Sequence, residues 1–172
     1  MRSLFRGSKA DSQTENRIHT TAELQQFRAE QLRIHNLFRQ KHGALPLVLD
    51  DELNRISQEW ANKLAKDGRL SHRSNNDYGE NVFYSSNNPS DATQRWYDEL
   101  KTIGKKMDVE EAFRIYSIGH FTQIVWKETR KMGISFATDA RGHFYVVANY
   151  HKPGNFMNSK FKLDCNEVKP KI

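Results

Sequence analysis

The sequence predicts an α+β domain built in layers, and three observations carry that prediction. Three apolar stripes at helical spacing fill the first part of the chain, an alternating hairpin lies towards its end, and no internal repeat is present. Residues 1–19 carry Arg2, Arg6, Lys9 and Arg17 among Ser, Gln, Asn and Thr with little periodicity, and read as a disordered basic arm. Thr20 with Glu23 three residues on has the form of a capping box. Leu24, Phe27, Ile34 and Phe38 then recur on one face of a first helix running to about Lys41. Gly43 and Pro46 break it, and Asp50 is placed to cap a second helix. Its stripe, Leu53, Ile56, Trp60 and Leu64, ends near Gly68. Polar turn residues from Arg69 to Pro89 enclose a short strand at Asn81 to Tyr84. Pro89 and Ser90 open a third helix with the stripe Ala92, Trp96, Leu100 and Ile103. Glu99 stands at the edge of that stripe, where a carboxylate can reach a cleft. After a loosely patterned connection and the segment Phe121 to Trp126 comes the clearest hairpin in the chain. Met132 to Thr138 and Phe144 to Tyr150 alternate about the polar link Asp139-Ala-Arg-Gly142.

With 172 residues the chain fits one domain, bounded at residues 20–160 with 161–172 as a tail. Its single cysteine, Cys165, allows no intramolecular disulfide, which excludes the framework of a small disulfide-stapled domain and points to a reducing compartment. No stretch matches a secretory signal or a membrane span, and Arg2 in second position provides no acceptor for N-myristoylation. A soluble, intracellular protein is therefore expected, with an extracellular one reached by an unrecognised route as the alternative. The net charge of +6 favours anionic partners. Neither the motif of an RNA-recognition sheet nor zinc-finger spacing is present, so nucleic acid is not the expected partner. In the arm, Leu4 and Phe5 beside Arg2 and Arg6 are the candidate membrane contact. Each basic residue near an anionic surface is worth only about 1 kcal/mol, so the arm alone would bind weakly. The competing reading is a solvated tail.

Two stretches carry a family resemblance. Gly119-His-Phe-Thr-Gln-Ile-Val-Trp-Lys-Glu-Thr129 resembles the principal signature of the CAP superfamily of cysteine-rich secretory, antigen and pathogenesis-related proteins. Tyr145-Val-Val-Ala-Asn-Tyr-His-Lys-Pro-Gly-Asn155 resembles its second signature, with Ala148 where secreted relatives often have cysteine. His72 followed by Gly79-Glu-Asn81, the run Arg95-Trp-Tyr-Asp-Glu99, and the first-helix segment from His35-Asn36 through Arg39 to His42-Gly43 fit the same pattern. The chain looks most like the intracellular, cysteine-poor Golgi-associated group. The resemblance implies a three-layer α-β-α sandwich around a central antiparallel sheet. It also implies that His72, Glu80, Glu99 and His120 meet in one cleft, which their spacing alone does not reveal.

Two imidazoles and two carboxylates suit a divalent ion such as zinc. In that reading His72 and His120 are the ligands, while Glu80 and Glu99 orient the rings or a water. The other reading is a metal-free hydrogen-bonded polar cluster. A catalytic reading would make Glu80 or Glu99 a general base on a metal-bound water, or Ser71 a nucleophile beside His72. Ser71 and His72 are adjacent, however, and on an extended segment would point to opposite faces. The histidines at 19, 35, 42, 143 and 151 read as surface or helix-contact residues, with His35 a packing or hydrogen-bonding residue inside the domain. Trp96 and Trp126 read as core, and Cys165 as a free thiol near the C-terminus.

Three functions compete. The first is a non-enzymatic module that binds anionic lipid or a membrane surface reversibly, cytoplasmic or peripheral on the Golgi membrane, with a cleft open to zinc. The second is a metal-dependent hydrolase, and the third a protein-interaction scaffold, dimeric or heteromeric.

Overall fold

The capping box expected at Thr20 is formed. Thr20 Oγ1 accepts the Glu23 N–H at 3.2 Å, and the Glu23 carboxylate accepts the Thr20 N–H at 2.8 Å. In this computed structural model, which describes residues 17–102 and 117–155, that box starts α1 (Thr21–Lys41). A two-residue strand β1 (Val48–Leu49) follows. Asp50 Oδ1 then caps α2 (Asp51–Asp67) by accepting the N–H groups of Glu52 and Leu53, and Gly68 ends the helix at φ 62°. That left-handed conformation suits glycine, which has no Cβ to clash. Next come β2 (Gly79–Ser85), a 3-10 turn (Pro89–Asp91), α3 (Ala92–Asp98) and a second 3-10 turn (Glu99–Thr102). The described chain resumes at Ser117 and builds α4 (Gly119–Val125), β3 (Lys131–Thr138) and β4 (Phe144–His151). The third helical stripe thus spans two kinds of helix, and its last member, Ile103, lies outside the described residues, as do Cys165 and the arm residues Arg2, Leu4, Phe5 and Arg6.

The sheet order is β1-β3-β4-β2. The hairpin of β3 and β4 and the pairing of β2 with β4 are antiparallel as expected, but β1 runs parallel to β3, so the sheet is mixed. The reason is the return of the α1–β1 link to the sheet edge, where Val48 N–H donates to Arg130 O at 3.1 Å and Asp50 N–H to Met132 O at 2.9 Å. Two residues are too few to show a strand period.

Both faces of the sheet are covered, which makes the α-β-α sandwich. Met132, Ile134 and Phe136 of β3 and Val146, Ala148 and Tyr150 of β4 join Phe27, Phe38, Trp96 and Phe121 in the larger core. The intervening residues Ala137, Tyr145 and Val147 pack with Val82 on Ala61, Leu64 and Ala65 of α2. Small and polar residues let α2 sit close to the strands. A Cβ added at Gly133 would lie 2.1 Å from the Leu53 carbonyl carbon, Ser57 Oγ donates to Gly133 O at 3.1 Å, and Asn54 Oδ1 accepts from Ile134 N at 3.1 Å.

Arg39 is fully buried. Its guanidinium donates to the carbonyls of Leu45, Ile124, Trp126 and Thr129 at 2.7 to 2.9 Å. One side chain thereby ties α1 to the α1–β1 link, the end of α4 and the turn before β3. Burial lowers its pKa to about 10, still charged at neutral pH, because desolvation disfavours the cation. At the other end of α1, His19 packs on the Phe136 ring with centroids 4.4 Å apart and its Nε2 lies 2.6 Å from Thr138 Oγ1.

A cleft of two histidine–glutamate pairs

Glu80 is the second residue of β2, opposite Asn149 of β4. Its carboxylate is 5% exposed, while the His72 ring is 61% exposed. Burial of the acid is made tolerable by donors: His72 Nδ1–H at 2.8 Å and Arg73 N–H at 3.0 Å on Oε1, and Asn76 Nδ2 at 3.3 Å on Oε2. The bond to Glu80 holds the His72 pKa above its ordinary value, against the opposing effect of partial burial.

Glu99 opens the 3-10 turn after α3. Its Oε1 accepts from His120 Nδ1 at 2.6 Å, and its Oε2 accepts the backbone N–H groups of His120 and Phe121 at 3.0 and 3.1 Å. Ile118, which precedes α4, has no side chain to cap the helix. Glu99 therefore supplies the missing acceptors from another element, with the negative charge at the helix end that favours it.

The structure brings the four predicted residues together as two pairs facing each other. The His72 and His120 rings are near parallel, 25° apart with centroids at 6.4 Å, and the Trp96 indole lies near parallel to His120 with centroids at 6.1 Å. Trp96 thus has a second role beside its core packing, anchored by its Nε1–H on Val82 O at 3.1 Å. Beside His72 opens a pocket of about 490 Å³ whose polar lining includes Arg73, Asn76, Tyr78, Gln123 and Asn155.

Both imidazoles present Nδ1 to a carboxylate, and neither Nε2 takes part in a hydrogen bond among the described residues. That is the ligand-and-orienting-carboxylate arrangement of metal-binding histidines. Two imidazoles on one tetrahedral zinc put their ring centres about 5 Å apart. At 6.4 Å the two rings stand farther apart than that, and His72 is the more exposed of the pair. Among the described residues no group of three or more His, Cys, Asp or Glu is arranged to hold a metal ion. A cation here would take two protein nitrogens and fill its shell with water or a ligand.

Each carboxylate accepts from an imidazole and from one or two backbone N–H groups. No described hydrogen bond joins the Ser71 hydroxyl to His72. The carbonyl of Ser71 instead accepts Trp60 Nε1–H at 3.0 Å.

His35 is the internal residue that the sequence suggests. Fully buried, it places Nδ1 2.8 Å from Gln31 O and Nε2 2.9 Å from the Tyr150 hydroxyl, and burial drives its pKa down to about 4. His42 meets the Tyr97 hydroxyl at 2.9 Å and His143 meets Asp139 at 3.2 Å.

Residues 32–150 match the family model described as the CAP, cysteine-rich secretory protein family. The chain belongs to the CAP family. It is 37% identical over 151 residues to the human Golgi-associated plant pathogenesis-related protein 1, covering 85% of this chain and 95% of the relative. It is 35% identical to pathogenesis-related protein PR-1 of Medicago truncatula, covering 78% of each. Among solved structures it superposes on NaASP2, crystallised with Zn2+, at a TM-score of 0.65 and 23% identity, over 81% of this chain and 86% of that one. It also superposes on BmVAL-1 at a TM-score of 0.61 and 21% identity, over 81% of each. These two likenesses establish the CAP fold for this chain.

Proposed function

We propose that this CAP domain is a binding module and not an enzyme: its cleft takes a divalent cation such as zinc through His72 and His120, and its cationic surface associates reversibly with anionic membrane. The observation that carries the first part is the engagement of both carboxylates. Glu80 and Glu99 hold Nδ1 of their histidines and accept from local backbone, which leaves the two Nε2 atoms as the donor atoms for a cation. A cation with two protein ligands exchanges readily, which suits reversible binding better than a closed structural site.

The membrane part is supported by the net charge of +6 and by the name of the human relative, which places that protein at the Golgi. A peripheral position on the Golgi membrane is the corresponding location. No helix among the described residues is long and apolar enough to cross a membrane.

Zinc titration by calorimetry is the test. One ion per chain is expected for the wild type, with affinity reduced at least about tenfold in His72→Ala and in His120→Ala, since each removes one of two protein ligands. Affinity equal to wild type in both variants would remove the cleft as the site. Turnover of ester or peptide substrates that disappears in Glu80→Gln and Glu99→Gln would favour the hydrolase reading instead.

A further inference from the structure

At the end of α1 the molecule exposes large apolar side chains that its core does not use. Leu37 is 45% exposed and Leu45 is 60% exposed, and both line a groove of about 690 Å³ with Arg33, Gln40, Ala44 and Pro46. Two residues beyond Pro46, Val48 is 57% exposed on the edge strand. The groove is built to stay open. Asn36 clamps the link by accepting the Leu47 N–H at 2.8 Å and donating to Leu47 O at 3.1 Å, and Arg39 holds Leu45 O at 2.7 Å. These bonds bury Leu47 in the core while Leu45 faces outward.

Cations border this apolar strip on both sides. Arg33 and Lys41 stand one turn before and one turn after Leu37 on α1, all three exposed. Across the link, Val48 pairs in register with Lys131 and its N–H reaches the carbonyl of Arg130, again with both basic side chains exposed. Two carboxylates partly offset these four cations, Glu30 against Arg33 and Asp50 against Lys131. A strip of leucine and valine framed by lysine and arginine matches the boundary of an anionic bilayer, where apolar groups enter the acyl region and cations meet the headgroups.

Resting on the membrane reading above, we propose that this face, centred on Leu37 and Leu45, is the surface that docks on anionic lipid, with the bilayer as its occupant. Docking there adds apolar insertion to charge attraction, the second signal that stable peripheral binding needs.

The test is co-sedimentation of the full chain with phosphatidylcholine vesicles, with and without phosphatidylinositol, at near-physiological salt. Three proteins are compared: wild type, Leu37→Glu with Leu45→Glu, and Leu4→Glu with Phe5→Glu in the arm. The groove positions are exposed, so unchanged circular dichroism and melting are expected and confirm that the variant is folded. The proposal expects wild type and arm variant to pellet with phosphatidylinositol vesicles, and the groove variant to lose at least about tenfold in partitioning, since two apolar contacts become two anions. A groove variant that pellets like wild type overturns the docking face while the membrane reading stands. Wild type that fails to pellet with any vesicle overturns both. A dimer in wild type that the groove variant abolishes, without lipid binding, assigns the face to a second copy of the chain and overturns the bilayer as its occupant.

Discussion

Removing the Glu99 carboxylate should weaken the whole fold, because it caps α4 as well as orienting His120. In Glu99→Ala the N–H groups of His120 and Phe121 and the His120 Nδ1–H lose their acceptor together. Loss of a helix cap costs about 0.5–2 kcal/mol, and loss of hydrogen bonds to a charged group about 1.5–3 kcal/mol. The Glu99 side chain is 22% exposed, so water recovers part of this, and the expected net cost is about 2–4 kcal/mol. Glu99→Gln keeps one acceptor oxygen and can serve either the ring or the helix end, so about half that cost is expected. Urea denaturation reads the difference as a shift of the midpoint at constant slope. A Glu99→Ala protein within about 0.5 kcal/mol of wild type, the range of ordinary surface substitutions, would refute the capping role. So would a glutamine variant as damaged as the alanine one.

Further outcomes follow from His35, His72 and Gly133. The pKa of His35 is pushed down to about 4 in the fold, and an unperturbed histidine titrates near 6.5. The unfolded chain therefore takes up that proton first. Stability from this residue is fully present above pH 6.5 and falls by about 3 kcal/mol as the pH drops from 6.5 to 4, so unfolding at pH 7 and pH 5 should differ in wild type and much less in His35→Gln. Identical pH slopes in the two proteins would exclude His35 as the cause. For His72, raised by Glu80, the sign is opposite: its contribution is present below the unfolded value and is lost as the pH rises through the folded one. Gly133→Ala should cost about 2–3 kcal/mol in a thermal melt, since the new Cβ would meet α2 backbone, which cannot move aside as a flexible side chain could. A melt unchanged from wild type would show that α2 does not press on β3.

The helices were legible because their ends carry chemistry. Thr20 with Glu23, Asp50 with Gly68, and Pro89 are local signals, and they mark the starts and stops that the structure shows. The hairpin was legible from its alternation, although the skipped positions are buried too: Gly133, Ser135 and Ala137 are small residues under α2. Their burial is a tertiary fact that no period encodes. The mixed pairing of β1 escaped because two residues have no pattern, and the helix Gly119–Val125 because its polar members Thr122 and Gln123 are buried and hydrogen-bonded. In the cleft, family motifs identified His72, Glu80, Glu99 and His120, but the pairing of each acid with one histidine depends on where strand and turn end in space. Capping of α4 by Glu99 and stacking of Trp96 on His120 join residues far apart in the chain and leave no local signal. Arg39 was visible only as part of a motif. Its four carbonyl partners come from three separate segments.

The central claim is that Glu80 and Glu99 hold Nδ1 of the two imidazoles and so leave each Nε2 available to a cation. Nitrogen-15 NMR of the histidine rings reads this directly, because it distinguishes the two neutral tautomers. At a pH where the rings are neutral, the account predicts that His72 and His120 both carry their proton on Nδ1, donated to the carboxylates, with Nε2 bare and shifting on addition of zinc. Protons on Nε2 in both rings, with no response to zinc, would contradict it.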